Sequence, residues 1–152
     1  MTYVRLTKQF EFEMAHALHG YDGVCKNIHG HSYRLQVCVI GSVVQTTKAS
    51  NDGMVMDFSE LKKIVQLFVI SEFDHALVLN KRSIVEKLEL LKDLYDKVIF
   101  TPYQPSCENL LMEIVNRIKM HLPANVSLHH VSLRETYGSL AEWYAEDNLL
   151  SI

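Results

Sequence analysis

Two stretches of alternating polarity constrain this chain more than any other feature. Phe10, Phe12 and Met14 are apolar while the intervening Glu11 and Glu13 are acidic; further on, Tyr33, Leu35, Val37 and Val39 alternate with Ser32, Arg34 and Gln36. A period of two is that of a half-buried strand, whose successive side chains point to opposite faces. Consecutive strands usually lie side by side. The chain is therefore expected to open with an antiparallel pair that presents one apolar face.

Parity then places the histidines. His16 continues the even, apolar set of the first strand, and His29 and His31 share the odd, apolar set of the second. Residues two apart on a strand point the same way, roughly 6 to 7 Å apart at the backbone, so His29 and His31 can converge on one ion. Antiparallel pairing brings His16, near the end of the first strand, beside the start of the second. Three imidazoles with an open position are the donor set of a catalytic zinc site rather than of a closed structural one. Any one of these histidines alone reads more simply as a packed or surface residue, and only their joint placement favours a metal. His19, His121, His129 and His130 fall in no such constellation and are read as surface or packing residues.

Cys25 precedes His29 by four positions, in a loop with Asp22, Gly23 and Asn27. A nearby cation favours the thiolate, which leaves two roles open: a fourth metal ligand, or a base beside the metal. The three cysteines form neither a disulfide framework nor a CxxC pair. Cys38, in mid-strand, and Cys107, at a helix start, are read as packing residues.

"DFSELKKIVQLF" changes the period. Phe58, Leu61, Ile64, Val65 and Phe68 make a helical stripe, with Asp57 as N-cap and Glu60 completing a capping box. "KRSIVEKLELLKDLYD" predicts a second helix striped by Ile84, Leu88, Leu91 and Leu94, with a short strand around "KVIF" after it. Pro105 and Ser106 open a third helix, striped by Leu110, Leu111, Ile114, Val115 and Ile118, and Pro123 closes it. "NVSLHHVSLRETY" and "SLAEWYAE" are two further strands. In the first of them the apolar parity changes from even (Val126, Leu128) to odd (Val131, Leu133), predicting a bulge near His129 and His130; the odd phase includes Glu135.

This order predicts an α+β fold, a four-stranded antiparallel sheet with helices packed on one face. The length of 152 residues, 48% of them hydrophobic, suits a single domain over residues 1–152. A net charge of −3 without a basic run argues against direct nucleic-acid binding. No apolar stretch approaches the roughly 20 residues of a membrane span, and the first residues lack a signal-peptide pattern. The expectation is a cytoplasmic protein.

The motifs "FEFEMAHAL", "CKNIHGHSY", "GMVMDFSELK", "FDHALVLN", "PSCENL" and "LRETYGSLAEWY" occur in an order that resembles the family of 6-pyruvoyltetrahydropterin and 6-carboxytetrahydropterin synthases. The resemblance runs over nearly the whole chain. It implies a tunnelling fold, in which sheets of several subunits join into a barrel, and a homohexamer built as a dimer of trimers. By the family's pattern His16, His29 and His31 look like zinc ligands and Cys25 like the catalytic base. Asp74 and His75 match an acid/base pair. Glu135 matches the glutamate that holds the pterin ring and is sometimes placed in the proton relay, with Glu108 as a further pterin contact.

The spacing Cys-x-x-x-His-Gly-His resembles the carboxy-forming, queuosine-pathway branch. That branch implies a zinc-dependent lyase acting on 7,8-dihydroneopterin triphosphate. The alternatives are the pyruvoyl-forming synthase, which acts on the same substrate, and a non-catalytic, zinc-stabilised pterin-binding module. Two features depart from the family's pattern. Cys107 stands where Ser or Thr is usual, and segment 81–96 is longer than in the shortest relatives, an extension read as peripheral.

Overall fold

The long alternating segments form the strands that the parity predicts: β1 (Tyr3–Ala17) and β2 (His29–Ser42). The computed structural model describes residues 2–83 and 88–149. β1 and β2 pair antiparallel from Tyr3↔Ser42 to His16↔His29, so Phe12 faces Tyr33 and Phe10 faces Leu35 on one side. The Phe12 and Tyr33 rings stack 5.2 Å apart. Tyr33, Leu35, Val37 and Val39 are essentially inaccessible, while Ser32 and Arg34 are exposed.

The sheet is larger than expected and of mixed direction. It has six strands in the order β4-β3-β1-β2-β5-β6, which corrects the expected four-stranded antiparallel sheet. β3 (Ala76–Asn80), which was not foreseen, and β4 (Val98–Thr101) run parallel, β3 to β1 and β4 to β3. The reason lies in "ALVLN", where Ala76, Val78, Leu79 and Asn80 are buried. A strand covered on both faces carries a continuous apolar run instead of an alternation. The strand foreseen at "KVIF" is β4.

β5 (Val126–Thr136) and β6 (Ser139–Tyr144) extend the antiparallel side. Cys38 pairs with His130 but Val39 with Leu128, which leaves His129 as the extra residue of the predicted bulge. The change of phase buries Val126 and Leu128 before it and Val131 and Leu133 after it.

Helices cover one face. α4 (Cys107–Lys119) buries Leu110, Leu111, Ile114, Val115 and Ile118, and Ser106 caps it by accepting from Asn109 N–H at 3.4 Å. α1 (Phe58–Val65) is capped by Asp57, which accepts from Ser59 N–H at 2.6 Å; Glu60 N–H goes to the Asp57 backbone carbonyl. A π-helical turn (Gln66–Ile70) leads into the short α2 (Ser71–Phe73) and shifts the stripe. The buried set becomes Leu61, Val65, Val69, Ile70 and Phe73, while Phe68 stacks on His121 with ring centroids 3.4 Å apart.

α3 (Leu88–Leu94) is the predicted second helix. Ile84, the first position of its stripe, lies outside the described residues, as does the side chain of Leu88. Among the described residues no helix is long and apolar enough to cross a membrane.

Candidate active site

The register of β1 and β2 brings the three histidines together at one end of the buried face. His16 and His29 are direct partners, and His31 lies opposite Met14. The ring centroids form a triangle of 4.6, 5.1 and 5.3 Å, and one nitrogen from each ring lies within 4.8 Å of the others. Gly30 keeps the strands close, since a Cβ there would come 3.3 Å from the Met14 carbonyl.

Two of the rings are oriented by the backbone. His16 Nδ1 donates to the Pro105 carbonyl at 2.7 Å, and His29 Nδ1 donates to the Asn27 carbonyl at 2.8 Å. Each bond selects the tautomer whose Nε2 lone pair is free for a cation, the usual arrangement around metal-binding imidazoles. His16 Nε2 and His31 Nε2 are buried and without a hydrogen-bond partner. Burial holds His16 and His31 below the usual histidine range. The Pro105 carbonyl and Glu135 oppose this for His16, and Glu135 opposes it for His31. Neutral, orphaned, converging imidazoles fit a divalent cation.

Glu135, on β5, reaches the same place. Its Oε1 lies 3.4 Å from His16 Nε2 and 3.6 Å from His31 Nε2, without a hydrogen bond to either. Tyr33 donates to that oxygen at 3.1 Å. Burial, and then the adjacent carboxylate, push the Tyr33 hydroxyl far above its ordinary pKa, so it stays a donor. The sequence reading missed this role for Tyr33. The available signal was its shared parity with His29 and His31, because a buried tyrosine hydroxyl needs a partner.

The remaining predicted residues lie around this cluster. Cys25 sits half-buried in a short 3-10 turn, Val24–Lys26, and its carbonyl accepts from Leu18 N–H at 2.9 Å, tying the loop to the end of β1. It is outside the set of donors that converge within 4.8 Å. Glu108 is exposed in the first turn of α4. Cys107 donates to the Leu133 carbonyl at 3.4 Å, and burial followed by the Glu135 charge pushes its thiol up to about 12.

Asp74 and His75 form a separate pair. His75 Nδ1 lies 3.0 Å from Asp74 Oδ1, which also accepts from Glu13 N–H at 2.9 Å. The Asp74 carboxyl stays below its usual range: partial burial opposes this, and the Glu13 bond, His75 and Lys97 together outweigh it. The His75 imidazole is 76% exposed, against 3% for His16. It opens into a cavity of about 890 Å³ whose walls include Glu13, Ser32, Leu94, Tyr95 and Lys97. His31 borders this cavity and also a second, of about 730 Å³, that contains Glu135 and Tyr137.

Three converging imidazoles beside a carboxylate, with a carboxylate–imidazole pair across the strand, make a cluster on a mixed sheet that could hold a cation. Comparison with known proteins shows the family. The 6-pyruvoyl tetrahydropterin synthase family profile matches residues 5–146. A 6-carboxy-5,6,7,8-tetrahydropterin synthase of Haemophilus influenzae is 35% identical over 91% of this chain and 97% of its own length. A dihydroneopterin monophosphate aldolase of Pyrococcus furiosus is 30% identical over 91% and 97%. The solved 6-pyruvoyl tetrahydropterin synthase of Caenorhabditis elegans superposes with a TM-score of 0.68 at 25% identity, over 95% of this chain and 96% of that one. The chain belongs to the 6-pyruvoyl tetrahydropterin synthase family.

Proposed function

We propose that this protein is a zinc-dependent lyase that converts 7,8-dihydroneopterin triphosphate to 6-carboxy-5,6,7,8-tetrahydropterin, acetaldehyde and triphosphate, a step toward queuosine. The observation that carries the reading is the convergence of His16, His29 and His31 beside Glu135. The Cys25-x-x-x-His29-Gly-His31 spacing and the likeness to the 6-carboxy-5,6,7,8-tetrahydropterin synthase of Haemophilus influenzae favour the carboxy-forming branch.

His16, His29 and His31 would hold the zinc ion, which supplies a Lewis acid that acidifies protons on and beside substrate hydroxyls. Cys25, as thiolate, removes a proton from a side-chain carbon of the substrate. His75, oriented by Asp74, carries protons to and from the rearranging side chain. Glu135 accepts two parallel hydrogen bonds from the ring N–H and amino group of the pterin, as a carboxylate does from a guanidinium. Tyr33 fixes one oxygen of that carboxylate. Glu108 contributes a further pterin contact.

The subunit is proposed to be one domain that works in the cytoplasm, as a homohexamer of two trimers. Two features support assembly. β1 pairs with β3 only over Met14–Ala17 and Glu13 is bonded to Asp74 and His75, so its edge from Tyr3 to Phe12 has no strand partner on that side among the described residues, and β6 is an edge strand of the sheet. Open edges invite pairing with another chain. The exposed His75 is available to a substrate held partly by a second copy.

Mass spectrometry of products formed by the zinc-loaded protein from dihydroneopterin triphosphate tests the reaction. Carboxytetrahydropterin with acetaldehyde is expected. Pyruvoyltetrahydropterin would move the protein to the pyruvoyl-forming branch, and zinc binding without turnover would make it a binding module.

A further inference from the structure

The segment read from the sequence as a peripheral extension ends beside the acid/base pair. Its residues 94–96, with Lys97 directly after them, wall the cavity into which His75 opens. Lys97, the last residue before β4, turns back onto the helical run that precedes β3. Its ammonium donates to the Ser71 carbonyl at 2.8 Å and to the Asp74 carbonyl at 2.6 Å. These are carbonyls of the final helical turn, where a cation is favoured because the last C=O groups have no intrahelical donor.

The next residue shows why such a clamp matters. His75 has φ +59°, the one positive value at a non-glycine position among the described residues. A side chain at that φ is strained and persists only where its surroundings over-determine it. Three contacts do so here: His75 N–H donates to the Glu13 carbonyl at 2.6 Å, Asp74 Oδ1 accepts from Glu13 N–H, and Lys97 grips the Asp74 carbonyl from the other side. The Lys97 carbonyl in turn accepts from Leu77 N–H at 3.0 Å, so the clamp is continuous with the β3–β4 pairing.

We infer that Lys97 is a positioning residue that holds the Asp74–His75 turn in its strained, working geometry, and that the extension up to β4 exists in part to deliver it. This rests on Asp74 and His75 being the acid/base pair of the proposed reaction. Lys97 holds the turn through its two backbone carbonyls and sets its charge near the Asp74 carboxyl.

The test compares the full-length, zinc-loaded protein with Lys97→Met and Lys97→Arg, using two readouts. The first is amide exchange by NMR, which needs no substrate. In Lys97→Met the His75 and Glu13 amides are expected to exchange at least ~10-fold faster, as a locally loosened unit does, while Ile114 and Val115 in α4 keep their rates. Lys97→Arg, still a cation with several donors, recovers most of the protection. The second readout is turnover. In Lys97→Met kcat is expected to fall roughly 10- to 100-fold through misplacement of the pair, with KM and zinc content unchanged.

Wild-type exchange at His75 and Glu13 in Lys97→Met, or Lys97→Arg as loosened as Lys97→Met, overturns the clamp. A wild-type protein that turns over no pterin while Lys97→Met still loosens the turn overturns the functional reading and leaves the clamp standing.

Discussion

The histidine cluster and the Asp74–His75 pair are anchored to neighbouring positions of β1, yet one is closed and the other open. His16 is 3% exposed, tied to Pro105 and flanked by Glu135; His75 is 76% exposed, on a left-handed turn, with its imidazole toward a cavity. The cluster is finished within one chain. The pair is oriented within one chain but faces outward, where a substrate or a second copy can complete it. In the proposed reaction, binding of the cation and proton transfer therefore rest on structurally separable regions, and substitutions ought to divide along that line.

Removing a cluster imidazole should have the largest effect. His31→Ala is expected to lose zinc by elemental analysis and with it several kcal/mol of stabilisation at the reacting centre, roughly 10³-fold in turnover; zinc retained at full occupancy would break the division. Cys25→Ala and His75→Asn should keep zinc and lose about 10²- to 10⁴-fold in kcat, the usual range for a positioned acid or base. If either variant lost its zinc as well, the two regions would not be separable.

Tyr33→Phe is a milder probe. It removes the donor to Glu135 Oε1 and should cost about 1.5–3 kcal/mol, as for a hydrogen bond to a charged group. It should weaken pterin binding in a fluorescence titration and leave zinc content unchanged. An unchanged pterin affinity would detach Glu135 from the ring.

The smallest effect concerns Cys107. With its thiol pushed up to about 12, it carries almost no thiolate between pH 7 and 9 and should resist iodoacetamide in that window. Peptide mapping that finds Cys107 alkylated at pH 8 would show the site near Glu135 to be more open than the structure has it.

Much of this was legible in residue order. Alternation sufficed for β1 and β2, and because His16, His29 and His31 share the parity of the core residues, the strand register alone brings them together. The bulge at His129 was legible for the same reason, since one extra residue inverts parity. β3 was not, because "ALVLN" has no polar alternation to reveal a strand buried on both faces. Nor was the π turn at Gln66–Ile70, where a change of helical period moved burial from Phe68 to Val69. The pairing of Asp74 with His75 was legible only through family resemblance, because an adjacent Asp and His read equally well as a polar loop, and the approach of Lys97 to that turn not at all, because it is a contact between distant segments.

X-ray absorption at the zinc edge of the loaded protein tests the central claim, that the metal centre consists of His16, His29 and His31 and excludes Cys25. The account predicts one zinc per chain with a first shell of nitrogen and oxygen at about 2.0–2.2 Å. A sulfur at about 2.3 Å, lost in Cys25→Ala, would make Cys25 a ligand rather than the base and would contradict it.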